Sequence, residues 1–362
     1  DRTGEAVALN ALIALPIAAL AWAYAPGLVG LVAGPRVSRA AKALAVEYFR
    51  YRLLGLPFLY AGMALDASYR GAGVTRPVLW ATASSSTANA VLDPVLIYGL
   101  AGAPRLGVAG AALASAAASI IYMAHLALQA PGSLGYPARP SRPSRLAARM
   151  ALVGLPVLLE RLAFVGGNLA YLGVVARCGD AALAAHTIGV RIESIAYLPL
   201  YSIGESAATL AGQEVGAGRP GEARRAGVEV ALLDALAGVG VALLLASTAG
   251  ILPRAFTRDP IVRGLAARYL VIAAASEPPY ALAVSLSLAI RGAGNTLVPT
   301  AINLAGLYGL RVVPAGILAS HLPRSSCVLG AWLAMLLDQA GRAAITGVTY
   351  RRFFHRLAKR LV

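Results

Sequence analysis

Asp93 is the residue whose type and setting point most directly to chemistry. It lies in an otherwise apolar stretch, residues 77–99. A charged side chain buried in a bilayer costs roughly 3 kcal/mol or more, so its presence calls for a function. Asn89 stands four residues earlier, on the same face of a helix. Ser86 and Thr82 continue that stripe. One helix face is therefore lined with oxygens, as a hard cation or a proton carrier requires. Tyr48 and Ser115 lie at matching depths of the flanking apolar runs. Asp93, Asn89, Tyr48 and Ser115 form the first candidate cation or proton site. The plainer alternative is that Asp93-Pro94 ends a helix and caps the next loop.

The second half of the chain has its own ionisable residues within apolar runs. Glu160 lies four residues after Pro156, Glu193 lies at a comparable depth of the next run, and Glu277 precedes Pro278. These three are second-lobe candidates, with a structural ion pair as the competing reading for Glu160. Arg311 and Asp338 sit in the middle of adjacent runs and read as a structural pair. His186 is near a helix end and reads as structural. Cys178 and Cys327 lack metal-ligand spacing and read as free, small apolar residues. No cofactor is expected. Clustered Asp motifs, HExxH and a Ser/His pair are all missing, which counts against an intramembrane enzyme. No Walker motif is present, so neither ATP-driven transport by this chain nor an ATPase subunit is expected.

These residues must be positioned by membrane helices. Of the 362 residues, 58% are hydrophobic and 13% charged, against about 25% charged in a soluble domain. The net charge of +16 is almost wholly arginine, lysine occurring only at Lys42 and Lys359. The charges fall in short connections between apolar runs, which fits the positive-inside rule and anionic lipid better than nucleic acid. Ten runs reach a spanning length of about 20 residues: roughly 6–31, 47–69, 77–99, 106–130, 150–176, 182–212, 226–251, 266–290, 297–320 and 328–349. Each must be helical, because lipid offers no partner to an open backbone.

An internal repeat organises the runs. Arg70-Gly71-Ala72-Gly73 recurs as Arg291-Gly292-Ala293-Gly294, and Arg2-Thr3-Gly4-Glu5-Ala6 is echoed by Arg219-Pro220-Gly221-Glu222-Ala223. Runs one to four thus correspond to runs seven to ten, in the same membrane orientation, which makes a parallel repeat. Runs five and six have no upstream partner, so a complete duplication predicts two further helices ahead of Asp1 and twelve in all. The fold expected is an all-α polytopic membrane protein of two pseudo-symmetric bundles. Residues 1–130 form the first lobe, 131–148 a Pro- and Arg-rich linker, and 149–362 the second lobe. Arginine is denser on the side bearing that linker and the C-terminus, which places both in the cytoplasm. The glycines of the two RGAG segments read as tight turns with lipid-facing arginines.

At this level of detail the chain resembles the multidrug and toxic compound extrusion (MATE) transporters. The resemblance rests on Ala184–Ser194, Ala207–Gly218, Leu106–Ala112, both RGAG turns and Gly309–Pro314. It implies a secondary antiporter of the cell membrane that extrudes cationic or amphipathic, drug-like molecules in exchange for Na⁺ or H⁺, by alternating access of two lobes. In archaeal and related members the first-lobe cation site resembles Asn89, Asp93 and Tyr48, with Ser115 in place of a Thr. An Asp on the family's first helix has no counterpart among these residues. Some members use a Glu on the helix of Glu160 for Na⁺. Their partner Asp falls near Tyr280, for which Glu277 is the nearest substitute. A lipid-linked oligosaccharide or lipid flippase of the same superfamily is the alternative, disfavoured by the scarcity of intramembrane arginine. An inert fragment is a third reading.

Overall fold

The computed structural model describes residues 2–33, 38–135 and 145–358. Within them the regular structure is entirely helical and divides into two units, residues 1–151 and 152–362. Half of the linker expected at 131–148, residues 136–144, lies outside the described residues; of the rest, 131–134 continue one helix and 145–148 begin the next.

Unit 1 contains α1 (Arg2–Ala23), α2 (Ala25–Ala33), α3 (Arg39–Leu53), α4 (Leu56–Gly71), α5 (Arg76–Tyr98) and α6 (Val108–Leu134). The run expected as one span over 47–69 is broken between α3 and α4. Pro57 in the first turn of α4 carries no N–H to continue the ladder of α3. Gly55 lies directly against α6, where an added Cβ would come 2.7 Å from the Ala116 Cα. Ala61, Leu65, Tyr69, Ala81, Leu126 and Ala130 make the core. The buried Tyr69 hydroxyl donates to the Leu126 carbonyl at 2.9 Å, tying α4 to α6.

Unit 2 contains α7 (Arg145–Arg177), α8 (Asp180–Gly216), α9 (Pro220–Thr248), α10 (Pro260–Gly292), α11 (Leu297–Ala305), α12 (Val313–His321) and α13 (Arg324–Leu357). A π-helical turn, Gly306–Val312, joins α11 to α12, so the ninth run is one interrupted rod. Such turns are rare and widen the helix locally; this one carries the buried Arg311. The core centres on Tyr269 and Trp332, packed edge-to-face with ring centres 5.3 Å apart. His186 is buried and packs edge-on against Tyr171 and Tyr269, in keeping with a structural role.

Among the described residues seven helical segments are long and apolar enough to cross a membrane. The runs at 47–69, 77–99 and 182–212 fall short of that measure. The first is interrupted, and the others carry polar residues such as Ser84–Thr87 and Glu193.

The repeat is visible atom by atom at the two RGAG turns. Gly73 and Gly294 hold φ of 75° and 91°, a left-handed conformation that glycine adopts without steric cost. The Gly73 N–H donates to the Arg70 carbonyl and the Val74 N–H to that of Tyr69, both at 2.9 Å. The Gly294 N–H donates likewise to Arg291 and the Asn295 N–H to Ile290, at 2.9 and 3.1 Å. Both are glycine-terminated helix ends of the Schellman type.

One expectation is overturned. Cys178, just beyond α7, and Cys327, near the start of α13, are joined by a disulfide with Cα atoms 5.5 Å apart. They are 149 residues apart in sequence, and only the packing of α7 on α13 brings them together. The Tyr171 hydroxyl marks that packing, donating to the Ala331 carbonyl at 2.8 Å.

Candidate functional site

In unit 1 the seam between α5 and α6 gathers three of the four expected residues. Asn89 Nδ2 lies 3.4 Å from Asp93 Oδ1 and 3.5 Å from Ser115 Oγ. All three are half-buried. Tyr48 is not hydrogen-bonded to any of them and is 39% exposed. The reason is helical phase. The inward face of α3 runs through Val46, Phe49, Arg50 and Leu53, and Tyr48 lies on the opposite side at about 100° per residue. Thr82 and Ser86 are also exposed. The polar seam continues instead through Ser85, which donates to the Ala118 carbonyl at 2.8 Å, and Ser84, 3.2 Å from His125 Nδ1. Gln129 meets the other ring nitrogen at 2.6 Å. The sequence reading missed His125. Its position opposite the Ser84–Ser85 pair was the available signal.

Unit 2 does not bring Glu160 to Glu277. Glu160, on α7, accepts from the Arg291 guanidinium, from Thr300 Oγ1 at 2.7 Å and from Asn303 Nδ2 at 2.7 Å. Arg291 is fourteen residues along α10 from Glu277, about 21 Å at 1.5 Å per residue. A shared cation site is therefore corrected to a closed ion pair for Glu160, whose negative charge Arg291 already balances. Thr300 and Asn303, one turn apart on α11, were the polar pair that could have signalled it.

Glu277 is 1% exposed, and neither carboxyl oxygen has a hydrogen-bond partner. Glu193, on α8, accepts from the Tyr269 hydroxyl. Arg311 Nε and Arg342 both donate to Asp338 Oδ2, at 2.8 and 2.7 Å. The expected Arg311–Asp338 pair is thus a triad with a second arginine. Gly306 makes room for it, since a Cβ there would lie 2.6 Å from Asp338 Oδ1.

The arginines of the two RGAG turns, expected to face lipid, are each held by a carboxylate. Arg70 pairs with Asp66 at 2.6 Å, and Tyr122 donates to the same carboxylate at 3.0 Å; Arg291 pairs with Glu160. Among the described residues no three His, Cys, Asp or Glu side chains converge as a metal site. A cation bound at Asp93 would meet one carboxylate and neutral oxygens.

Comparison with known proteins places this arrangement. The MatE family profile matches residues 2–95 and 156–317. The chain is 26% identical over 319 residues to a probable multidrug resistance protein NorM of Thermotoga maritima, covering 86% of this chain and 67% of that one. It is 29% identical over 384 residues to a protein of the same description from Bradyrhizobium diazoefficiens, covering all of this chain and 77% of the relative. The crystal structure of the Vibrio cholerae MATE transporter VcmN in its bent form shares the fold, with TM-score 0.86 at 19% identity over 99% of this chain and 80% of that one. The chain belongs to the MatE family of multi-pass membrane transporters.

Proposed function

We propose that this transporter is a secondary antiporter, extruding cationic or amphipathic small molecules in exchange for Na⁺ or H⁺. The observation that carries the reading is Asp93, a carboxylate in the α5–α6 seam whose nearest polar partner, Asn89, is neutral and itself reaches the neutral Ser115. The intramembrane carboxylates Glu160 and Asp338 are already balanced by arginine. Asp93 makes no ion pair among the described residues and is the carboxylate assigned here to ion exchange. Turning the Asn89 amide would exchange its N–H donor for a carbonyl ligand. Ion binding drives transport only if one conformation of the protein binds the ion better than the other. Glu277, buried without a partner, is the corresponding candidate in unit 2.

Two independent features support one membrane orientation. Arginine density favours a cytoplasmic linker and C-terminus. The disulfide lies at the opposite end of the unit 2 helices, and disulfides persist in oxidising compartments. Both support a plasma-membrane protein with the 178 and 327 connections outside. The flippase reading is weaker, because Arg291, Arg311 and Arg342 are each committed to a carboxylate.

The test is reconstitution of the purified chain in liposomes loaded with a cationic dye, under an imposed Na⁺ or H⁺ gradient. Efflux driven by one gradient identifies the coupling ion. Dye movement under neither gradient contradicts the antiporter reading.

A further inference from the structure

Unit 2 contains a cavity of 270 Å³ between α9, α10 and α13, at the end of these helices opposite the disulfide. Its walls are of two kinds. Val228, Leu232, Leu282 and Leu286 form an apolar side, and Arg224 and Arg351 add two guanidinium groups to the lining. Leu232 is 61% exposed, so the apolar side opens outward from the unit.

The two arginines are uncommitted. Arg225, next in sequence, is paired with Glu229 at 2.9 Å, whereas Arg224 and Arg351 make no ion pair among the described residues. The Arg224 Nε is buried and has no hydrogen-bond partner. An unsatisfied buried donor on a charged group costs more than the roughly 1–3 kcal/mol of a neutral one, so an anion is the partner it lacks. Tyr350 does not supply one. Its hydroxyl donates to the backbone carbonyls of Ala223 and Arg224 and forms the floor of the cavity.

The apolar wall decides which anion. From Arg224 to Leu232 is eight residues, about 12 Å along the helix, most of the ~15 Å depth of one leaflet's hydrocarbon. A free inorganic anion would leave that wall unused. A zwitterionic lipid would bring its own cation against two guanidinium groups. We propose that this cavity binds one anionic phospholipid, its phosphate held between Arg224 and Arg351 and an acyl chain lying along Val228, Leu232 and Leu286. Guanidinium groups match phosphate oxygens in geometry as well as in charge, and basic pockets between membrane helices commonly hold such headgroups.

Gly347 provides a second way to test the cavity. It lines the space, and a Cβ added there meets nothing within 4 Å. Gly347→Leu fills the cavity while keeping both charges. The experiment is thermal unfolding of the purified chain in detergent with added dioleoylphosphatidylglycerol, dioleoylphosphatidylcholine or inorganic phosphate. Only phosphatidylglycerol should raise the midpoint of the wild type. Arg224→Gln/Arg351→Gln and Gly347→Leu should each weaken the apparent lipid affinity at least about tenfold, the scale of lost charge-assisted hydrogen bonds. A rise of equal size with phosphate, or with phosphatidylcholine, would overturn the proposal. So would an undiminished response in Gly347→Leu, even if the double arginine variant failed to fold.

Discussion

Arg70 and Arg291 close the same turn in the two units and then take different partners. Arg70 folds back onto Asp66 of its own helix, where the two side chains remain 39% and 17% exposed. Arg291 leaves its helix for Glu160 on α7, and there the exposures fall to 19% and 12%. The turn is local and repeats because its sequence repeats. The partner is tertiary, and differs because unit 2 has α7 beside the turn. The polar interiors diverge in the same way. The α5–α6 seam of unit 1 holds one carboxylate among amides, hydroxyls and an imidazole. Unit 2 confines Glu160 and Asp338 in arginine pairs, which hold helices together, and leaves Glu277 buried without a hydrogen-bond partner. Unit 1 is thereby the better placed of the two to exchange an ion.

This contrast can be broken by mutation, and the largest effect should come from the unit 2 triad. Asp338→Asn leaves Arg311 and Arg342 without their shared charge in a buried site. Removing one partner of a buried pair costs about 3–5 kcal/mol, to be seen as a large drop in the thermal midpoint of the purified protein. Cys178→Ser should follow, with about 2–4 kcal/mol lost. Reductant should reproduce that loss in the wild type and leave the variant unchanged.

Glu160→Gln sharpens the comparison of the turns. It keeps the side chain's shape and one accepting oxygen but strips Arg291 of its counter-charge. A loss of about 2–3 kcal/mol is expected, partly recovered in Glu160→Gln/Arg291→Gln if the pair is coupled. The matching change in unit 1, Asp66→Asn, removes a pair with one well-exposed partner and should cost no more than about 1 kcal/mol. Equal losses at Glu160 and Asp66 would erase the distinction between the units.

What the sequence made legible follows the range of the interactions. Helices were readable from apolar runs because lipid forces the backbone to pair locally. Asn89 and Asp93 were readable as a pair because four residues is one helical turn. The RGAG repeat was readable because its hydrogen bonds close within five residues. Glu160's partners lie 131 to 143 residues away, and the disulfide spans 149, so neither leaves a local pattern. Tyr48 failed for a subtler reason. The phase of α3 is fixed by packing on α6 and by the break at Gly55, neither of which is a property of residues near 48.

The most direct test of the central claim compares Asp93 of unit 1 with Glu277 of unit 2 in the reconstituted dye-efflux assay. If ion exchange resides in unit 1, Asp93→Asn abolishes gradient-driven efflux while the protein keeps its thermal midpoint, and Glu277→Gln retains efflux. Efflux that survives Asp93→Asn and is lost in Glu277→Gln would contradict the account and move ion coupling to unit 2.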